Sequence, residues 1–273
     1  MIANINYVKS VLGDLKAKKK FGQNFLIDSN IVDKIAKNAC DKDTTTIEIG
    51  PGLGSLSEML LKYSKSVDAY EIDKDMVDIL NNTIKDDRFN LYYEDFLDTD
   101  LSKYEGLNIR VCANLPYYVT TPILFKLFNS SLNISKITVM VQKEVADRFK
   151  AKVNSEDYNA LTLIVQYLFD VNVEMTISKN VFYPSPKVDS AVVSFVPKRD
   201  RDFEYEKKLF AFFDNCFKQR RKTLHNNLKE FLDNSKIELI YNTFNFSTNV
   251  RAQELDLDIF IKMFGVINET KSL

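Results

Sequence analysis

The chain has 273 residues, of which 45% are hydrophobic, so it can bury a substantial core and has room for one α/β domain and a smaller second domain. Its three cysteines are odd in number, far apart and without metal-ligand spacing, which argues against a disulfide framework and a zinc site. No apolar run approaches the length of a membrane span, and residues 1–20 lack the apolar centre of a signal peptide. We therefore expect a reduced, cytoplasmic protein with neither a membrane nor a metal as partner.

The formal net charge of −1, taken alone, argues against a nucleic-acid partner. The charges are unevenly distributed, however, with basic runs at 18–20, 148–152, 198–201 and 218–222. These runs predict either one face that binds nucleic acid or several separate solvated surfaces. Both alternatives stay open at this point.

Residues 18–27 begin with lysines and continue with aromatic and small residues, and we predict an ordered loop there. Asp28 or Ser29 is predicted to cap a helix that continues to about residue 39. A β-prone run then follows at 45–49.

Three of the chain's seven glycines, Gly50, Gly52 and Gly54, come directly after that run. Glycine is used where the chain turns sharply or where a ligand presses against the backbone. A helical pattern follows, with Ser55 predicted as its cap. Strand, glycine turn and helix together predict a site for a nucleotide-like ligand.

The spacing of these glycines distinguishes two cofactor classes. A dinucleotide-binding turn has a third glycine where this chain has Ser55, which argues against an NAD-dependent oxidoreductase. The pattern Gly-x-Gly-x-Gly preceded by Glu48 instead resembles motif I of the S-adenosylmethionine-dependent methyltransferases. In those enzymes the turn lies against the amino-acid end of the cofactor.

Two later strands end at acidic residues that suit an adenosine. The predicted strand at 66–73 carries Glu71, whose carboxylate can accept hydrogen bonds from ribose hydroxyls. The predicted strand at 89–93 is followed by Asp95 and Phe96, which can bind the exocyclic amine of adenine and stack on its ring. The alternative for Glu71 is an ordinary surface acid at the end of a strand, and Asp95 and Phe96 carry little weight without the other motifs.

A predicted strand at 107–113 leads into the second informative turn. Asn114 can present its amide oxygen, and Leu115 its carbonyl, beyond the end of the strand as acceptors for an amine. Pro116 rigidifies the turn, and Tyr117 supplies a face for a planar base. Phe182, in a proline-fixed loop, could present a second stacking face.

Alternating strands and helices predict an α/β fold with a Rossmann-like, doubly wound, mostly parallel sheet. The polar, proline-led stretch 197–202 predicts a domain boundary, and apolar stripes after it predict a small all-helical C-terminal domain. We therefore divide the chain into an N-terminal extension at 1–20, a methyltransferase domain at 21–198 and a helical domain at 199–273.

These motifs, taken together, resemble the small-subunit ribosomal RNA adenine dimethyltransferases of the KsgA type. Signatures of that family match here in order over nearly the whole chain, at 21–26, 48–52, 114–117, 182–188, 220–224 and 251–255. One departure is His225, where relatives carry arginine. We expect this difference to weaken an RNA contact without affecting the chemistry.

The resemblance implies an S-adenosyl-L-methionine-dependent methyltransferase with this fold and a role in ribosome biogenesis. Its expected reaction transfers two methyl groups to N6 of each of two adjacent adenosines, in a hairpin loop near the 3′ end of 16S rRNA in the small subunit or its precursor. We expect the protein to be a monomer. The predicted cofactor-binding residues are the family positions Asn24, Leu26, Gly50, Glu71, Asp95 and Asn114, to which we add Gly52, Ile72 and Phe96.

The predicted catalytic residues position the adenine and do not include a general base. Asn114 and Leu115 accept from the N6 amine, Pro116 fixes their turn, and Tyr117 and Phe182 stack on the extruded base. The basic clusters are expected to hold RNA phosphates, with Lys19, Lys20, Arg148, Lys150, Arg220, Arg221 and Lys222 as the predicted RNA-binding residues.

Two alternatives to this function remain. The Erm enzymes share the fold and methylate 23S rRNA, but they usually carry isoleucine where this chain has Leu115, and the C-terminal signatures favour the KsgA type. A mainly non-catalytic factor in small-subunit assembly is the alternative from another functional class.

Overall fold

The computed structural model describes residues 3–12, 23–115, 119–198 and 201–269. The chain divides into two compact units, the first formed by Met1–Ala146 and Val171–Pro197 and the second by Asp147–Asp170 and Lys198–Leu273. No helix within the described ranges is long and apolar enough to cross a bilayer.

A seven-stranded sheet forms the centre of the first unit, in the order β4-β3-β2-β5-β6-β9-β7. Strands β2 to β6 are paired in parallel, and β9 runs antiparallel to β6. This arrangement confirms the predicted α/β fold with a mostly parallel sheet. The strands are β2 Thr45–Ile49, β3 Ser66–Glu71, β4 Phe89–Tyr93, β5 Asn108–Asn114, β6 Asn133–Gln142, β7 Phe169–Ile177 and β9 Ser190–Pro197.

The strand order reverses between β2 and β5, which places a topological switch point there. From β2 the chain continues to one side through β3 and β4, and it then returns to the other side through β5 and β6. In open α/β sheets ligands bind at such a point, outside the carboxyl ends of the strands. The glycine turn follows β2 and Asn114 ends β5, so both motifs lie at this position.

Helices connect the strands, as the alternating pattern predicts. Asp28 caps α2, because its carboxylate accepts hydrogen bonds from the backbone N–H groups of Asn30 and Ile31. Helix α2 buries Val32 and Ile35 in the core of this unit. The helices are α1 Ile5–Leu12, α2 Ser29–Ala39, α3 Ser55–Tyr63, α4 Lys74–Thr83, α5 Thr120–Phe128 and α6 Lys143–Phe149.

Two local predictions need correction. Gly54, in a left-handed conformation, occupies the cap position of α3, and Ser55 is the first helical residue rather than the cap. The predicted loop at 18–27 contains a short strand, β1 (Phe25–Leu26), which pairs antiparallel with β8 (Phe182–Tyr183). The sequence analysis missed this pairing because two-residue strands carry no periodicity. It also missed helix α1 in the N-terminal extension.

The second unit is helical and contains α7 Ala160–Leu168, α8 Phe203–Phe217, α9 Leu224–Leu228, α10 Asn234–Phe244 and α11 Leu257–Glu269. The predicted apolar stripe of α8 is confirmed, since Leu209, Phe213 and Cys216 are buried. Helix α7 packs against α8 within this unit, although the sequence analysis assigned it to the methyltransferase domain. A compact unit need not be a domain that folds alone, so the predicted domain boundaries stay a prediction.

Gly54 lies at a tightly packed point of the first unit, and its replacement by alanine should be costly. Its φ is +83°, and an added Cβ would lie 2.8 Å from Leu80 Cδ2 and 3.0 Å from Ile84 Cδ1. Gly106, with φ +77° and nothing within 4 Å of an added Cβ, is the matched control. We expect Gly54→Ala to lower the free energy of unfolding by about 2–4 kcal/mol and Gly106→Ala by about 1 kcal/mol, measured by urea denaturation. Equal losses would show that packing at Gly54 adds nothing to the backbone strain.

Candidate functional site

A cavity of about 150 Å³ opens at the carboxyl ends of β2, β3, β4 and β5. All nine predicted cofactor-binding residues line it together. They are Asn24, Leu26, Gly50, Gly52, Glu71, Ile72, Asp95, Phe96 and Asn114. Residues distant in sequence therefore meet at the switch point of the sheet.

The carboxylate of Glu71 ties the glycine turn to the end of β3. One of its oxygens accepts a hydrogen bond from Gly52 N at 3.0 Å, and the other accepts from Ile72 N at 2.9 Å and Asp73 N at 2.8 Å. Burial raises the pKa of Glu71, and these backbone hydrogen bonds oppose that shift. A carboxylate offers about four lone-pair directions, so three N–H donors leave capacity for a hydroxyl.

The short β1–β8 ladder covers one side of the cavity. It pairs Leu26 with Phe182 and Phe25 with Tyr183, so two signature segments far apart in sequence meet here. The ring of Phe25 crosses the glycine turn, and a Cβ on Gly52 would lie 3.2 Å from its Cε1 atom. A side chain at Gly52 would therefore push this ring aside, and the φ of +58° would strain a non-glycine residue as well.

The segment after β4, where the sequence predicts an adenine contact, forms another side of the cavity. Phe96 is 3% exposed, and its ring meets that of Tyr70 edge-on at 5.4 Å. Asp95 turns the backbone by accepting a hydrogen bond from Leu97 N at 2.9 Å. Both residues contribute to the cavity wall, which brings the predicted acid and aromatic ring to one place.

Asn114 is oriented by the N-terminal segment. Its side-chain Nδ2 donates to the backbone carbonyl of Asn24 at 3.4 Å. The amide oxygen accepts no hydrogen bond from the described residues, so it is available to a donor in the cavity. Leu115 also lines the cavity, whereas Pro116 and Tyr117 lie outside the described residues.

Phe182 lines the same cavity from β8, and its side chain is only 4% exposed. Its predicted stacking role therefore stays a prediction, because the described residues show the ring packed in the wall. Sequence reasoning did not assign Gln23, Phe25, Tyr70, Val119, Ile123 and Met140 to the site, although they also line it. Tyr70, Val119, Ile123 and Met140 are of types that occur throughout many cores, so only the fold identifies them. Gln23 and Phe25 belong to the signature at 21–26, which was the available signal.

Glu48 is a buried acid in the cavity lining to which the sequence analysis gave no role of its own. Neither of its carboxylate oxygens, nor the hydroxyls of Ser55 and Ser57, has a hydrogen-bond partner by distance and angle among the described residues. Burial raises the pKa of Glu48 to about 8, an effect that the Ser57 hydroxyl opposes and the Glu71 carboxylate reinforces. The sequence signal that could have identified Glu48 as a site residue was its position directly before the glycines.

The predicted RNA-binding residues that the structure describes all lie in the second unit and differ in their contacts. Arg220 donates to the backbone carbonyls of Tyr158 at 2.8 Å and Ser155 at 2.9 Å. Its guanidinium therefore holds the backbone of this unit. Arg221 is exposed, and no ion pair to it is found within the described ranges. Arg148 and Lys150 are exposed. The ammonium of Lys222 lies 4.0 Å from Glu230 Oε1. Lys19 and Lys20 lie outside the described residues.

The raised pKa of Glu48 predicts a pH-dependent stability. Between the ordinary pKa of about 4.3 in the unfolded chain and about 8 in the fold, the folded state binds one more proton at Glu48. This contribution to stability is therefore present at low pH and is lost as pH rises through about 8. We expect Glu48→Gln to raise the melting temperature at pH 8.5 more than at pH 5, measured by calorimetry. The exposed Glu105→Gln is the control, and a pH-independent difference for Glu48→Gln would contradict the assignment.

Comparisons with known proteins agree with this geometry. A family model described as "Ribosomal RNA adenine dimethylase" matches residues 14–269. A "Ribosomal RNA small subunit methyltransferase A" of Mycoplasmopsis pulmonis is 45% identical over 250 residues, covering 92% of this chain and 98% of the relative. The protein of the same description from Lactobacillus helveticus is 41% identical over 266 residues, covering 91% and 90%.

Two solved structures share the fold. A dimethyladenosine transferase from Plasmodium falciparum has a TM-score of 0.76 at 24% identity, covering 90% of this chain and 98% of that chain. The 23S rRNA methyltransferase ErmE has a TM-score of 0.66 at 20% identity, covering 89% and 99%. At these identities the structures support the fold alone, whereas the family model and the sequence relatives extend over the whole site. The chain belongs to the ribosomal RNA adenine dimethylase family.

Proposed function

We propose that this chain transfers methyl groups from S-adenosyl-L-methionine to N6 of two adjacent adenosines in a hairpin loop near the 3′ end of 16S rRNA. The observation that carries the proposal is the cavity in which the glycine turn, Glu71 and Asn114 meet at the switch point of the sheet. Family membership supports ribosomal RNA as the substrate.

The residues of the cavity fit the cofactor. Glu71 retains capacity for a ribose hydroxyl, and Asp95 offers an acceptor to the adenine amine. Phe96 lines the same wall, and its predicted stacking on adenine stays a prediction, because its ring is as buried as that of Phe182. The unpartnered oxygens of Glu48 and hydroxyl of Ser55 add polar groups around the glycine turn. When bound, S-adenosylmethionine supplies an activated methyl group and needs no metal.

The chain's own contribution is to position the target amine. The N6 lone pair of adenine is delocalised into the ring, so the amine is a weak nucleophile. Asn114 accepts a hydrogen bond from this amine through its amide oxygen, while its Nδ2 donates to the Asn24 carbonyl. The carbonyl of Leu115 is the second proposed acceptor. Fixing the amine in line with the methyl group supplies much of the acceleration, so no general base is required.

Small-subunit RNA is the favoured substrate. Relatives that align with more than nine-tenths of this chain are described as small-subunit methyltransferases, whereas ErmE shares the fold at 20% identity. We propose that the protein acts as a monomer in the cytoplasm, on the small ribosomal subunit or its precursor, during ribosome biogenesis. An Erm-type activity and a mainly non-catalytic assembly role are the alternatives.

Methyl transfer to isolated ribosomal subunits tests the proposal. Labelled S-adenosylmethionine is incubated with the protein and with small or large subunits from cells that lack this activity. We expect label in N6,N6-dimethyladenosine of the small-subunit RNA. Label in the large-subunit RNA would support the Erm type, and tight subunit binding without label would support the assembly factor.

Asn114→Ala should reduce the rate of methyl transfer on the order of 10²-fold, because an oriented polar group acting on the reacting atom is lost. The control is Asn108→Ala, an exposed asparagine at the other end of the same strand. Rates are measured at saturating cofactor and RNA, with circular dichroism to verify folding. A folded Asn114→Ala variant with the full rate would eliminate the amine-acceptor role.

Substitutions at the neighbouring residues Arg221 and Arg220 should have different effects, the first on RNA binding and the second on the stability of the fold. Arg221→Gln is expected to leave the melting temperature unchanged and to reduce the salt slope of RNA binding by about 0.7–0.9, the effect of losing one phosphate contact. Arg220→Gln is expected to destabilise the fold by about 2–3 kcal/mol, because two charge-assisted hydrogen bonds are lost. Filter binding at several salt concentrations and thermal melts measure the two effects. The assignment fails if the two substitutions have the same effects.

A further inference from the structure

Lys126 on α5 makes a set of contacts to the segment after β4, which forms one side of the cavity. Its ammonium donates to the backbone carbonyls of Leu97 at 2.8 Å and Thr99 at 2.6 Å. It also lies 5.4 Å from the centre of the Phe96 ring, within the range of a cation–π interaction. One side chain therefore holds the segment directly after Asp95 and Phe96.

The same segment has internal hydrogen bonds that transmit this restraint to Asp95. The Asp95 carboxylate accepts from Leu97 N, and the Thr99 hydroxyl donates to the Asp95 carbonyl at 3.0 Å. Lys126 thus fixes the two residues, Leu97 and Thr99, that hold Asp95. Since the edge of the Phe96 ring also meets Tyr70, the aromatic wall is held from two sides.

The electrostatic surroundings of Lys126 agree with this arrangement. Burial lowers the pKa of its ammonium, and the carboxylates of Asp98, Asp95, Glu94 and Asp100 oppose that shift. The segment concentrates acidic groups that repel one another. A half-buried cation among them offsets that repulsion and keeps the segment compact.

We propose that Lys126 is a positioning residue for adenine recognition, which acts by holding Asp95 and Phe96 in the geometry that reads the base. This inference rests on the proposed function, because it assigns the Asp95–Phe96 side of the cavity to the adenine of the cofactor. Helix α5 also contributes Val119, its N-cap, and Ile123 to the cavity, so Lys126 joins the elements that follow β4 and β5. The residue itself is absent from the cavity lining.

The test compares the binding of S-adenosylhomocysteine with that of S-inosylhomocysteine. The second compound has a carbonyl oxygen on the purine ring where adenine has its exocyclic amine. Calorimetry measures both affinities for the wild type, Lys126→Met and Lys126→Arg. The wild type should prefer the adenine compound, because Asp95 accepts from an amine and repels a carbonyl. Lys126→Met should bind S-adenosylhomocysteine about tenfold more weakly and lose most of the preference, since one charged hydrogen-bond donor is removed.

Lys126→Arg should keep both the affinity and the preference, because a guanidinium can donate to two carbonyls. The matched control is Lys85→Met, which removes an exposed lysine just beyond the C-terminal end of α4 that donates to the backbone carbonyl of Asn81 in that helix. Thermal melts verify that each variant is folded. If Lys126→Met does not fold, Lys126→Gln replaces it in the same comparison.

A folded Lys126 variant that keeps the wild-type preference overturns the inference, whether its affinities are unchanged or fall equally for both compounds. Such a result leaves the proposed function intact. A wild type that binds both compounds equally also overturns it. If the wild type binds neither compound, the proposed cofactor is wrong, and the inference fails with it.

Discussion

The hydrogen bond between the Glu71 carboxylate and the backbone N–H of Gly52 is the contact on which the site depends. It fixes the turn after β2 to the end of β3, while the other carboxylate oxygen accepts from Ile72 and Asp73. A second bond joins the same two elements, since Gly50 N donates to the Tyr70 carbonyl at 2.9 Å. Burial raises the pKa of Glu71, and the three backbone donors oppose that shift.

The remaining walls of the cavity are positioned by equally specific contacts. The β1–β8 ladder brings Phe25 across the glycine turn, and Asn24 beside it orients the amide of Asn114. Lys126 and Tyr70 hold Phe96 on the opposite side. The proposed reaction needs no charged base in this arrangement, because precise placement of an amine and a methyl donor is sufficient.

Much of the fold was predictable, because strands and helices of ordinary length carry clear periodicity. The strands at 45–49 and 89–93 have the predicted bounds, and all nine predicted cofactor-binding residues line one cavity. The β1–β8 ladder was not predictable, since each strand has two residues and the pairing joins distant segments. The structural role of Arg220 was also hidden, because a basic run does not reveal which of its members donate to backbone carbonyls.

The most direct test of this account is a crystal structure of the protein with S-adenosylhomocysteine. We predict adenine against Phe96 with its amine at Asp95, ribose hydroxyls at Glu71, and the sulfur on the side of the cavity where Asn114 lies. A ligand bound outside this cavity, or one whose adenine lies on the Asn114 side, would contradict the assignment of the site.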